Sequence, residues 1–91
     1  MNQAEALKER TKHFAIRIIT LFRALPRTEE TRVLGRQVLR SGTSVGANHR
    51  GVRRARSRAG FTSKMGIVVE GIDETVYWLK LLVATGIISK E

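Results

Sequence analysis

Apolar residues recur at alternating spacings of four and three through three long stretches of this chain, and nothing else constrains its fold as much. The first stretch runs from about 4 to 25, with Leu7, Thr11, Phe14, Ile18, Leu21 and Leu25 on the seam and Ala15, Ile19 and Phe22 widening it. That spacing puts the apolar residues on one side of an α-helix, in a stripe broad enough for a bundle. Pro26 ends the segment, since proline cannot continue the hydrogen-bond ladder and disfavours helix at the residue before it. Thr28 then has the chemistry of an N-cap, followed by Glu29 and Glu30 at the positive end of the helix dipole. The second helix is expected over 29–56, with Leu34, Val38, Ser41, Val45, Asn48, Val52 and Ala55 inward. Residues 57–60 read as a turn. The third helix is expected over 61–83, with Phe61, Met65, Val68, Ile72, Thr75, Leu79 and Leu82 on the seam, broadened by Val69, Val76 and Val83. Gly86 suits the position just past its end. No segment alternates with the two-residue period of a strand.

Long helices joined by short turns pack as an antiparallel up-down bundle, so the sequence predicts an all-α protein forming one domain over 1–91. The centre of the second helix is unusual. Ser41-Gly42-Thr43-Ser44-Val45-Gly46-Ala47-Asn48 is a poor helix former, each interior glycine costing about 1 kcal/mol relative to alanine. Either the helix breaks there, or small residues let another helix approach closely. The unbroken period on both sides favours close approach, with a kink allowed near Gly42. The tail, Ile87-Ile88-Ser89-Lys90-Glu91, is apolar and then polar.

Charge supplies the first functional clue. No acidic residue occurs from Thr31 to Val69, a span holding Arg32, Arg36, Arg40, Arg50, Arg53, Arg54, Arg56, Arg58 and Lys64. The eight basic and eight acidic residues elsewhere cancel, so the whole net charge of +9 belongs to this span. A polyanion is the natural partner for such a segment. A solvated helix face, or a face neutralised by a neighbouring subunit, is the competing reading. Within the span, Arg50, Arg53 and Arg54 share a helix face, Arg56 and Arg58 follow in the turn, and Arg36 and Arg40 extend the patch by about three turns. Guanidinium forks match phosphate geometry. Cations near a helix C-terminus also offset its dipole, but seven arginines exceed that need. These seven are the candidate nucleic-acid contacts.

Other chemistry has little support. With no cysteine, disulfides, thiol catalysis and Cys-ligated metals are excluded. His13 and His49 lie far apart and show no ligand spacing. Ser41, Ser44 and Ser57 have no evident triad partners, and Gly42 and Gly46 lack the strand and the Gly-Lys-Ser/Thr ending of a phosphate loop. No catalytic residue, metal or cofactor is expected, and an enzyme is the least supported class. No apolar run approaches a membrane span, and residues 1–12 lack a signal-peptide core, which makes the cytoplasm the expected location. A helix-turn-helix reading of residues 33–56 has the apolar seam running through its supposed turn against it.

At Arg10-Thr11, Phe14-Ala15, Leu25-Pro26, the run from Gln37 to Asn48, Arg54-Ala55-Arg56-Ser57, Phe61, Asp73-Glu74-Thr75 and Tyr77-Trp78-Leu79, the sequence resembles a known family. It is similar to the bacterial four-helix-bundle proteins named for intervening sequences in large-subunit ribosomal RNA genes, which in turn are similar to the accessory variability proteins of diversity-generating retroelements. The resemblance covers nearly the whole chain. It implies an antiparallel four-helix bundle assembling as a homopentamer. In the retroelement branch it implies a basic surface that engages RNA or DNA and a reverse transcriptase. The family's central pattern falls on Arg40, Ser41, Ser44 and Asn48, read here as a helix-packing motif. This chain has glycine at 51 and 71, where the family usually has an acid, and at 60, where it often has aspartate. The family usually continues past the equivalent of Gly86-Ile87-Ile88 into a fourth helix, which here is missing or shortened. The combined expectation is a homo-oligomeric, non-enzymatic bundle that binds nucleic acid non-specifically, with a protein-interaction scaffold as the alternative.

Overall fold

A computed structural model of the chain describes residues 2–89. Met1, Lys90 and Glu91, the last two belonging to the polar end of the tail, lie outside the described residues. Three helices follow one another, α1 over Gln3–Ala24, α2 over Glu29–Val52 and α3 over Arg58–Ala84. Among the described residues there is no strand. The whole measures 45 × 25 × 18 Å.

Local chemistry sets the ends. Asn2 caps α1, its side-chain oxygen accepting from the Glu5 amide at 2.8 Å. Leu25 turns extended ahead of Pro26. The Thr28 hydroxyl caps α2 by accepting from the Thr31 amide. Past α3, Gly86 adopts φ +79°, its amide donates to the Val83 carbonyl and the Ile87 amide to the Leu82 carbonyl. This is the paired bonding of a left-handed helix stop, and Ile87 packs back on the cluster around Leu82.

Two boundaries differ from the sequence reading. The second helix ends at Val52 rather than 56, and the third begins at Arg58 rather than 61. The cause is Ser57. Its backbone is extended, its hydroxyl accepts from the Gly60 amide at 3.0 Å and its carbonyl accepts from the Phe61 amide. An N-cap there starts the third helix at once, and the turn falls at 53–57 instead of 57–60. At the other side of the turn, Lys64 Nζ donates to the Gly51 carbonyl, which also accepts from the Arg54 amide at the end of α2. Through Gly42, α2 continues as one helix.

The α2 seam also shifts. Its buried positions are Thr31, Gly35, Val38, Gly42, Val45, His49 and Val52, together with Ser41. The valines coincide with the expected seam. Leu34 is only half-buried, Ala55 falls beyond the helix, and Asn48, expected inward, is exposed while its neighbour His49 is buried. The reason is that α2 is the central helix, in contact with α1 on one side and α3 on the other, whereas no Cα of α1 comes within 8 Å of a Cα of α3. Its α1 side is built from glycines. A Cβ on Gly42 would stand 2.8 Å from Ile18 Cγ1, and one on Gly35 would stand 3.1 Å from Leu25 Cδ1. Hydropathy does not mark glycine as a contact residue, so the period locks onto the wrong flank.

Side chains join the three helices into two clusters. Ile18, Val38 and Leu82 form one, and Val45, Val52 and Val68 the other, with Phe14 packed against both. Between α2 and α3, the buried hydroxyls of Ser41 and Thr75 lie 2.9 Å apart. Ser41 also reaches the Gln37 carbonyl and Thr75 the Gly71 carbonyl. Each hydroxyl has one proton, so Ser41 donates to the Gln37 carbonyl and accepts from Thr75, whose single proton is shared between Ser41 Oγ and the Gly71 carbonyl. Of the third-helix seam, Val68, Thr75 and Leu82 are buried, but Phe61 and Ile72 are exposed, as are the flanking Val69 and Val76. These last four fall on the α3 flank turned away from α2. Separately, Phe14, Ile18 and Leu21 of α1 and Leu79 of α3 border an open groove of about 730 Å³ between α1 and α3.

Candidate nucleic-acid interface

At about 100° of rotation per residue, Arg32, Arg36, Arg40 and Arg50 fall within about 80° of one another on α2, opposite Val38, Val45 and Val52. All four are exposed. From Arg36 to Arg50 the row is about 21 Å long at 1.5 Å per residue. It leads into the α2–α3 turn, where Arg53 is the C-cap of α2, Arg54 and Arg56 lie in the turn and Arg58 opens α3. The turn therefore collects four exposed arginines within six residues.

The seven candidate arginines are not equivalent. Arg53 Nη2 donates to Glu5 Oε1 at 3.1 Å, tying the end of α2 to the start of α1. Arg40 donates through Nε and Nη2 to Gln37 Oε1, and through Nη2 to Glu74 Oε1 on α3. Neither carboxylate partner was indicated by local spacing, because they lie 48 and 34 residues away. Arg36, Arg50, Arg54, Arg56 and Arg58 make no ion pair among the described residues. Their forks are open to an external anion.

The helix dipoles add to this. The first turns of α1 and α2 carry Glu5 and Glu29 with Glu30, whereas the first turn of α3 carries no acid. The positive end of a 27-residue helix thus opens among Arg54, Arg56 and Arg58 without a side-chain counter-charge.

Glu74 is the acid that α3 brings against the row. Its Oε1 accepts from Arg40 and, at 3.3 Å, from the indole N–H of Trp78. The Arg40 hydrogen bond first, and the Trp78 bond second, hold its carboxyl below the ordinary value of 4.5. A depressed carboxyl contributes stability above its ordinary value, and that contribution is lost as pH falls through the lowered one.

The four residues of the packing motif separate in the structure. Ser41 is buried against Thr75, and Ser44 is half-buried and donates to the Ser41 carbonyl. A Cβ on Gly71 would stand 3.8 Å from the Ser44 hydroxyl. Arg40 bridges to α3, and Asn48 faces outward. The serine hydroxyls considered as nucleophiles are thus engaged with backbone or with Thr75. His49 is buried with Nδ1 unpartnered, which the sequence did not suggest. Among the described residues no three His, Cys, Asp or Glu side chains gather as a metal site, and no helix is long and apolar enough to cross a membrane.

A small all-α protein of three long helices, with a row of exposed arginines along the central one, defines the class. The chain belongs to the family of 23S rRNA-intervening sequence proteins, whose model matches residues 5–91. It is also similar to a crystal structure of a protein of unknown function from the S23 ribosomal protein family of Bacteroides thetaiotaomicron. The two are 39% identical with a TM-score of 0.89, over 98% of this chain and 80% of that one. No curated protein matches the chain.

Proposed function

We propose that this protein is a non-enzymatic helical-bundle module that binds nucleic acid through its phosphates without reading sequence. The observation that carries the reading is the set of five arginines, Arg36, Arg50, Arg54, Arg56 and Arg58, exposed on one acid-free segment with no carboxylate partner among the described residues. Arg40 and Arg53 border the same surface. The family's association with ribosomal RNA intervening sequences makes structured RNA the first polyanion to test. Fluorescence anisotropy with end-labelled duplex RNA and DNA of unrelated sequence should show comparable affinities. Each should weaken steeply as salt rises, because phosphate neutralisation releases condensed counterions. Salt-independent binding, or no binding, removes this reading. Strong preference for one duplex sequence would favour a sequence-specific regulator instead. Recovery of a reverse transcriptase or other protein partner after nuclease treatment would favour the interaction-scaffold alternative.

The proposed architecture is the four-helix bundle of the resembled family, assembled as a homopentamer. A fourth helical segment would lie in the groove between α1 and α3. Support comes from the apolar side chains that line that groove, Phe14, Ile18, Leu21 and Leu79, and from the uncovered Phe61, Val69, Ile72 and Val76 elsewhere on α3. Exposed contiguous apolar surface of this kind marks an interaction site. Light scattering at micromolar protein should give five times the chain mass, and a monomer mass at all concentrations would rule the pentamer out.

A further inference from the structure

Arg40 sits in the middle of the α2 arginine row, yet it is the member of that row held by a carboxylate from α3. The same oxygen, Glu74 Oε1, receives both the Arg40 Nη2–H and the Trp78 indole N–H. Gln37 fixes the guanidinium from behind through Nε and Nη2, leaving Nη1 without a partner among the described residues. A phosphate that follows the row from Arg36 to Arg50 must pass this fork. If it binds there, it stands within the width of one guanidinium from the Glu74 carboxylate, and two anions at that spacing repel. Both partners are substantially exposed, 55% for Arg40 and 39% for Glu74, so the pair is weak enough to exchange.

The geometry points to Glu74 as an internal stand-in for phosphate: a polyanion docking along α2 displaces Glu74 from Arg40, and the freed carboxylate also leaves Trp78. This deepens the nucleic-acid reading and rests on it. Before binding, Arg40 is held by Glu74 and Arg32 faces Glu29 at 4.0 Å, so of the four arginines in the row Arg36 and Arg50 stand without a carboxylate partner among the described residues. On binding, the exchange adds a phosphate contact in the centre of the row. It also carries the event across to α3, where the indole loses its acceptor. The half-buried Trp78, edge-on to Tyr77 with ring centroids 5.1 Å apart, is the only tryptophan in the chain. Its emission therefore reports this one site, since an indole's emission depends on nearby charge and on its hydrogen bond.

Unlabelled duplex RNA is titrated into the full chain while Trp78 emission is read, with anisotropy of labelled duplex as the parallel measure of binding. The emission change should saturate along the binding curve. Glu74→Ala should bind about two- to fivefold more tightly, the range set by the loss of an exposed competing ion pair, and should show no emission change. Asp73→Ala removes the same charge one residue away, where no ion pair is made among the described residues. It should tighten binding less and keep the emission change. Glu74→Gln, which keeps an acceptor for the indole, should tighten binding like the alanine variant and serves if that variant folds poorly. Binding without any change at Trp78 overturns the exchange while leaving the nucleic-acid reading standing, and so does equal tightening by Asp73→Ala and Glu74→Ala. Absence of binding overturns both.

Discussion

Replacing Arg54, Arg56 and Arg58 together by glutamate should lower affinity for duplex RNA by about 100- to 1,000-fold and leave the fold in place. The binding estimate follows from three charge-assisted contacts at about 1.5 kcal/mol or somewhat less each. The slope of log affinity against log salt should fall by about 3, one unit for each phosphate contact removed. The folding estimate follows from where these residues stand. All three are exposed and none is paired among the described residues. A glutamate at 58 would enter the first turn of α3, which carries no acid, and gain about 0.3–1 kcal/mol from the dipole. At 54 and 56 the change costs a similar amount near the end of α2, so helical content and melting temperature should move little. Arg53 is left out deliberately: reversing it would set two carboxylates against each other at Glu5 and confuse binding with stability. The control reverses Lys12, Arg17 and Arg23, three exposed cations of α1, for the same change in net charge. If the control loses as much affinity as the turn variant, net charge rather than this surface governs binding, and the assignment of the interface fails.

Much of this was legible in the sequence because its causes are local. The seven-residue spacing of Val38, Val45 and Val52 gives a helix whatever packs on it, and Thr28, Pro26 and Gly86 fix helix ends through their own local chemistry. The acid-free span likewise places the positive charge without knowledge of the fold. What escaped is long-range or carried by small side chains. Arg40 and Arg53 look as free as Arg36 in the sequence, and only the packing of α3 and α1 onto α2 brings Glu74 and Glu5 to them. Phe61 and Ile72 share the period of buried residues, yet the separation of α1 from α3 leaves them uncovered. The inward choice of Asn48 over His49 is the same kind of error. Periodicity finds the axis of a face, but the residues at its flank depend on which neighbours come close.

The closest approach between α1 and α2 can be tested by one methyl group. Gly42→Ala should destabilise the protein by about 1–2 kcal/mol, although alanine is the better helix former by about 1 kcal/mol. The added Cβ would stand 2.8 and 2.9 Å from Ile18 Cγ1 and Cγ2. Ile18 cannot swing these atoms aside, because branching at Cβ restricts its rotamers and the residue is buried in the core. The helices must part instead, and with two branched-carbon contacts under 3 Å the overpacking cost falls in the upper part of the usual range, about 2–3 kcal/mol, which outweighs the propensity gain. At this chain length the melting temperature should drop by about 4–16 °C. Gly66→Ala supplies the contrast. Nothing lies within 4 Å of its Cβ position, so the propensity term acts alone and should stabilise by about 0.5–1 kcal/mol. The decisive measurement is the sign of the Gly42 effect after Ile18→Ala. That substitution costs about 2–5 kcal/mol alone, but it removes the two nearest atoms and leaves the Cβ of Ile18, at 3.2 Å, as the nearest neighbour of a Cβ at 42, with the cavity beside it to take up the shift. In that background Gly42→Ala should become stabilising, a coupling that only a direct contact produces. Equal destabilisation in both backgrounds would mean that Gly42 is required for some reason other than the approach of α1, and the small residues at the centre of α2 would lose their explanation as a packing surface.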